Sequence, residues 1–282
     1  MAVRVLTDST ADIPPALADS LGITVVPLTV FFGEEAYLDK IDMDTATFFR
    51  RLQTSKVLPK TSQPPPGKFQ EAFISLIKEG ADGIVAILLS AKLSGTYQSA
   101  CTARDTLPEE YRQVPIEIID SESVSVGIAY TVMQAVEEAK QGLSLETIKV
   151  HAIDRLARTH ILFALDTLEY LSKGGRIGGA AALVGNILSI KPILSFKEGL
   201  VVPIERPRTR TKAFARIAQL VTEAGPLESA VLVESDQEVG QQLADALKPV
   251  YKDELPRYNF GAVIGTYSGP HVAGVAYITI NK

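Results

Sequence analysis

"GIVAILLSAKLSGTYQSA", residues 83–100, is apolar without a break as far as Leu89 and then turns at Ser90 into small hydroxyl and glycine residues. An apolar run with no alternation is the pattern of a parallel strand covered on both faces. The small residues after it predict a sharp turn and then a helix from about Gly95 to Thr106.

The same strand, turn and helix unit recurs on either side. "VRVLTDST" (3–10) reads as a strand that stops at Thr7-Asp8-Ser9, and Pro14-Pro15 open a helix to about Leu21. "ITVVPLTVFF" (23–32) is a second apolar, β-branched run, followed by a hairpin or extended excursion over "GEEAYLD" (33–39). "DMDTATFFRRLQ" (42–53) has helical spacing with Asp42 or Asp44 as its cap, and a further helix is expected at about Lys68 to Glu79. "IEIIDSES" (116–123) is another strand ending in an acid and serines, and "VGIAYTVMQAVEEAKQG" (126–142) another helix. Strands alternating with helices imply an α/β fold, with an N-terminal parallel sheet carrying helices on both faces.

After residue 160 the texture changes. "SKGGRIGG" (172–179) is a glycine-rich loop, followed by a small-residue helix, then two strands joined by a tight turn at Lys197-Glu198-Gly199. The expectation is two domains, residues 1–160 and 161–282, the second an α/β unit with a mixed or antiparallel sheet.

The chain has 282 residues, 46 % hydrophobic and 22 % charged, which is ample material for a core. A formal charge of −5 argues against a general nucleic-acid binder. Cys101 is the only cysteine, so no intrachain disulfide forms, and it reads as a small buried filler. With no leader pattern at Met1 and no apolar stretch long enough to span a bilayer, the expected location is cytoplasmic, with any membrane contact transient.

Ligands of open parallel sheets bind beyond the carboxyl ends of the strands. Three such ends carry polar clusters: Thr7-Asp8-Ser9, Ser90 through Thr96, and Asp120-Ser121. Ser94 and the free N–H groups from Gly95 onward suit an anion, and a glycine lets a ligand approach closely. Ser94 equally suits a plain helix cap. The loop "PKTSQPPPGKF" (59–69) loses little entropy on ordering, so the hydroxyls of Thr61 and Ser62 are either held in advance at a ligand or form a solvent-facing turn.

"SKGGRIGG" fits neither common nucleotide fingerprint, and Arg176 between its glycines suits contact with a partner. Arg206, Arg208, Arg210 and Lys212 form a basic patch or a solvated face. His151, His160 and His271 have no ligand spacing for a metal, and no nucleophile elbow or triad order is present. The residues themselves point to a binding site rich in hydroxyls and poor in acid–base groups, with neither metal nor cofactor.

Taken together, "VLTDSTADIP" (5–14), "KTSQPPPGKF" (60–69), "LLSAKLSGTYQSA" (88–100), "IIDSESVSVG" (118–127), "LEYLSKGGRIGG" (168–179), "SIKPILSFKEG" (189–199), "PRTRTKA" (207–213) and "GAVIGTYSGP" (261–270) resemble the DegV family nearly end to end. The resemblance implies a long-chain fatty acid in an apolar interdomain tunnel, its carboxylate held by Thr61 and Ser94. It also implies a lipid-binding carrier, not an enzyme, that presents the carboxylate to a separate ATP-dependent kinase subunit for conversion to acyl phosphate. On that reading Arg176 and Arg208 or Arg210 contact the kinase subunit or the transferring phosphoryl group. The chain departs from the family at two places: Tyr267 stands where a histidine is usual, and His271 where a turn glycine is usual. Tyr267 can donate a hydrogen bond but adds no positive charge, so the third carboxylate contact falls to Tyr267 or His271. Two other readings are a stand-alone enzyme acting on a small phosphorylated or keto substrate, and an interaction protein with a vestigial cleft.

Overall fold

The computed structural model describes residues 2–251 and 254–280, apart from the side chains of 184–189. The first half of the chain forms β1 (Val3–Asp8), α1 (Pro15–Leu21), β2 (Thr24–Val26), β3 (Thr29–Phe32), β4 (Glu35–Leu38), α2 (Thr45–Thr54), β5 (Lys60–Ser62), α3 (Pro66–Lys78), β6 (Gly83–Leu88), α4 (Thr96–Asp105), β7 (Ile116–Asp120), α5 (Val126–Lys140) and α6 (Leu145–Ala157). Four strands make a parallel sheet in the order β2-β1-β6-β7. Every residue of β6 is buried, as its apolar run requires. Ile84, Ala86 and Leu88 belong to the layer with Phe69 and Phe73 of α3, while Val85 and Ile87 face the opposite layer.

The apolar run 23–32 is not one strand. Proline has no N–H for a ladder, and at Pro27 the run divides into β2, in the parallel sheet, and β3, the centre of a small antiparallel sheet β4-β3-β5. Asp44 rather than Asp42 caps α2, accepting from Thr47 N at 2.8 Å, while Asp42 accepts from Leu38 N. Cys101 is half-buried, because Ala100 and Ala103 are the positions of α4 that face the core.

The second half forms β8 (Thr159–Ala164), α7 (Glu169–Lys173), a 3-10 segment (Gly178–Ser189) where a small-residue helix was expected, β9 (Ile193–Lys197), β10 (Leu200–Glu205), α8 (Arg210–Glu223), β11 (Leu227–Glu234), α9 (Gln237–Leu247), β12 (Arg257–Asn259), α10 (Ala262–Ser268) and β13 (Ala273–Thr279). Its sheet is mixed, in the order β10-β9-β8-β13-β11-β12, with only β11 and β12 parallel. Glu198 and Gly199 turn β9 into β10 with φ of 50° and 75°, the left-handed geometry of a two-residue hairpin.

Layers follow from which faces are apolar. α3 and α4 cover one face of the parallel sheet. α5 packs against β1 and also against β8 and β13, so one core runs from Val85 and Ile87 through Ile128 and Val132 to Ile161 and Phe163. Phe214 and Ile217 of α8, with Leu243 of α9, close the far face of the six-stranded sheet.

A buried polar cluster ties the last helix to the first strands. Asp12, at φ 58°, accepts from Gly261 N (2.7 Å), Ser125 Oγ (2.5 Å) and Lys40 Nζ (3.1 Å). Asp39 accepts from Ala262 N at 2.8 Å, whereas its Oδ2 is buried with no partner. Burial pushes the Asp39 carboxyl up to about 6; Lys40 opposes the rise and Asp12 adds to it. The folded protein therefore holds a proton that the unfolded chain has lost between about pH 4 and 6, and Asp39 subtracts stability as pH rises through that window.

Phe73→Ala, which empties a fully buried site between α3 and the sheet, should lower unfolding free energy by about 3–5 kcal/mol in chemical denaturation. Asp39→Asn keeps the acceptor and removes the charge. It should raise stability at pH 8 by as much as about 3 kcal/mol relative to its effect at pH 4, and an unchanged pH profile would contradict the raised Asp39 carboxyl.

Candidate functional site

The carboxyl ends of β1, β6 and β7 align at one edge of the parallel sheet, and a cavity opens between this edge and the six-stranded sheet. Its walls are largely apolar. Leu28, Leu89 and Val124 come from segments that follow the first strands; Ile161, Phe163 and Phe196 come from β8 and β9; Val263 and Ile264 come from α10. Phe163 and Phe196 stack with ring centroids 5.7 Å apart, so adjacent strands present one aromatic surface.

Among the described residues, Arg176 is the only charged side chain lining this cavity. It stands with Thr61 and Tyr267 at the junction with a second space, which all three also line. The Thr61 hydroxyl and the Tyr267 phenol are hydrogen-bonded at 2.6 Å, joining β5 to α10. The Arg176 guanidinium lies 5.1 Å from the centre of the Tyr267 ring and donates to the carbonyls of Leu93 (3.2 Å) and Gly174 (2.8 Å). A side chain at Gly174 would put its Cβ 2.5 Å from that ring, so glycine is what lets Tyr267 lie there. The second space is lined by Lys60, Lys173 and Arg176 and by no carboxylate among the described residues, an arrangement that favours an anion at the junction.

Ser94 lines the cavity and also serves the helix: its Oγ accepts from Thr96 N at 3.3 Å and pairs with Thr96 Oγ1 at 2.9 Å. Gly95 has a different use from close approach by a ligand. A Cβ there would meet Gln63 Nε2 at 2.8 Å, so the glycine admits the proline-rich loop, which Ser99 Oγ also ties through the Pro64 carbonyl. Thr61, Ser94, Arg176 and Tyr267 are thus brought to one cavity.

The remaining candidates lie elsewhere. Ser62 is not on the cavity, because alternation along β5 turns it to the face opposite Thr61. His271 adopts φ 60° in the turn before β13, and its Nδ1 lies 3.3 Å from Asp236 Oδ2, outside both spaces. Arg208 lines neither space. Arg210 is paired with Asp166 at 2.7 Å, and Lys191 approaches the same carboxylate at 3.2 Å. Burial pushes Asp166 up, but the hydrogen bonds from Arg210 and Lys191 outweigh it and hold the carboxyl below its usual range.

Ser125 is a lining residue that the sequence did not reveal. Its φ of 56° and ψ of −140° turn the chain into α5, and the bond to Asp12 holds it there. Only the neighbouring "DSES" cluster signalled it. Among the described residues neither cavity is lined by a histidine or carboxylate, and no cluster of three or more His, Cys, Asp or Glu could hold a metal. No helix among them is long and apolar enough to cross a membrane. The arrangement can enclose a long apolar group and hold one anionic end of it.

Comparison with known proteins places this geometry. Residues 2–279 match the family model described as "Uncharacterised protein, DegV family". A DegV domain-containing protein of Halalkalibacterium halodurans is 38 % identical over 98 % of each chain. Among solved structures, a fatty-acid-binding DegV family protein from Thermus thermophilus superposes with a TM-score of 0.90 at 32 % identity, covering 99 % of this chain and 100 % of that one. A stearic-acid-binding protein from Eubacterium ventriosum does so with a TM-score of 0.89 at 27 % identity over 98 % of each chain. With the family model matching almost the whole sequence and a relative this similar along its full length, the chain belongs to the DegV family.

Proposed function

We propose that this protein binds a long-chain fatty acid, with its acyl chain in the apolar cavity and its carboxylate at Thr61, Ser94, Tyr267 and Arg176. The observation that carries the reading is the placement of Arg176, the one charged group among the described lining residues, with two hydroxyls at the cavity's junction with a cationic outer space. The stearic-acid-binding and other fatty-acid-binding relatives support it.

The division of labour follows from magnitudes. Burying a long acyl chain at about 0.8 kcal/mol per methylene gives a gross term on the order of 10 kcal/mol, partly offset by ordering the chain. A neutral hydrogen bond adds about 1 kcal/mol and one to a charged group about 1.5–3 kcal/mol. Apolar walls therefore supply most of the affinity, and the head group sets orientation. Tyr267 is a neutral donor, so Arg176 is the group that offsets the ligand's charge.

The finer reading is that the protein is a carrier, not itself an enzyme, and that residues 1–160 and 161–282 are the two units between which the ligand is held. It presents the carboxylate to a separate ATP-dependent kinase subunit, which forms acyl phosphate. The cationic outer space, the lack of an acid–base pair and the near-complete family match support this. The chain's own contribution to such a transfer is positioning and neutralisation of charge, the larger part of phosphoryl-transfer catalysis. Arg210 is already engaged by Asp166, which leaves Arg176 as the better-placed contact.

Native mass spectrometry followed by denaturing extraction should release a free fatty acid from the purified chain; a protein that is empty and takes up none across a range of lengths would sink the reading. Thr61→Val, which removes one hydroxyl at nearly constant volume, should weaken fatty-acid binding about fivefold by calorimetry. Arg176→Ala should reduce acyl-phosphate formation with a DegV-partnering kinase far more than it reduces affinity. Equal losses in the two assays would assign Arg176 to binding alone.

A further inference from the structure

We propose that Asp39 is a positioning residue that couples proton uptake to ligand binding: filling the acyl cavity drives a proton onto its carboxylate, and the proton tightens binding in return. The inference rests on the fatty-acid reading above.

Asp39 is not part of the cavity lining, yet its hydrogen-bond partners lead directly to the wall. Ala262 N, which donates to Asp39 Oδ1, starts the helix whose Val263, Ile264 and Tyr267 line the cavity. Ser9 acts on the Asp39 carboxyl and accepts from the backbone N–H of Leu28, another lining residue. Asp12, beside it, holds Gly261 N and the hydroxyl of the lining residue Ser125. The start of α10 presses on this cluster: a Cβ at Gly261 would sit 2.8 Å from Asp39 Oδ1 and 2.9 Å from Lys40 Cε.

The charged groups acting on Asp39 are Lys40 and Asp12, and Asp12 acts in turn on Asp8. From α10 the cluster receives a backbone N–H, and from the start of α5 the Ser125 hydroxyl. Lys40 is thus set against two buried carboxylates, Asp12 and Asp39, and one oxygen of Asp39 has no partner. Proton binding at Asp39 relieves both deficits.

Ligand binding adds to both. An acyl chain displaces water from the wall that α10 and Leu28 share with the cluster, which disfavours buried charge further. The ligand carboxylate brings another negative charge to the far end of α10. Both effects raise the proton affinity of Asp39, and linkage requires that a proton there raise ligand affinity by the same factor.

The test is the dissociation constant of oleate between pH 5.5 and 8, measured on the full chain and on Asp39→Asn. Ionisation of oleate itself is common to both proteins and divides out. The ratio of dissociation constants between pH 8 and pH 5.5 should be about three- to tenfold larger in the unmodified protein, as expected for a proton affinity that rises by up to about tenfold on binding. Calorimetry at pH 7 in two buffers of different ionisation enthalpy should detect proton uptake that the variant lacks. Lys40→Met removes the opposing cation and should move the midpoint of the pH dependence upward; it serves also if the Asn variant does not fold. Equal ratios in parent and variant, or an unmoved midpoint in Lys40→Met, would overturn the proposal while leaving fatty-acid binding intact. Failure to bind oleate at any pH would overturn the reading and the proposal with it.

Discussion

Asp12 accepts a hydrogen bond from the backbone N–H of Gly261, 249 positions further along the chain. The rest of the site depends on that contact, because it fixes where α10 begins and therefore where Tyr267 meets Thr61. A buried carboxylate is tolerable only when its oxygens are well supplied with donors, and Asp12 has a backbone N–H, a serine hydroxyl and an ammonium. Its left-handed backbone, which aspartate accepts more readily than most residues, aims the side chain inward.

What the sequence made legible follows the range of the forces involved. The parallel sheet could be read because β6 is covered on both faces and its unbroken apolar run has no other simple explanation. The division at Pro27 was visible as a proline, but which sheet each half joins depends on distant partners. Strand order in the second sheet was hidden for the same reason: β13 lies between β8 and β11, and nothing local to any of the three says so.

The site divides in a similar way. Thr61 and Ser94 stood out as hydroxyls at turns, where short-range rules apply. Arg176 stood out by its glycines, though one of them, Gly174, makes room for the Tyr267 ring. Gly95 accommodates Gln63, and His271 turns toward Asp236. Both are long-range pairings that a single sequence does not encode in its spacing. Ser125 was hidden because its positive φ is imposed by Asp12, 113 positions earlier.

The place of β13 has a consequence for how the protein is made. It is the last strand in the chain, it pairs with both β8 and β11, and those two strands do not pair with each other. Until residues 273–279 leave the ribosome, the six-stranded sheet is two fragments with open inner edges. Ile161 and Phe163 on β8 then have no completed sheet to support them. The parallel sheet, assembled from residues 3–120, has no such requirement. Synthesis thus leaves an interval in which all strands of the parallel sheet have been made while the second sheet still has apolar, unpaired strands, the kind of species that recruits chaperones or aggregates. The cavity, walled in part by β8 and β9 of that sheet, is therefore among the later features to form, and nothing bound in it can act as a template for the parallel sheet.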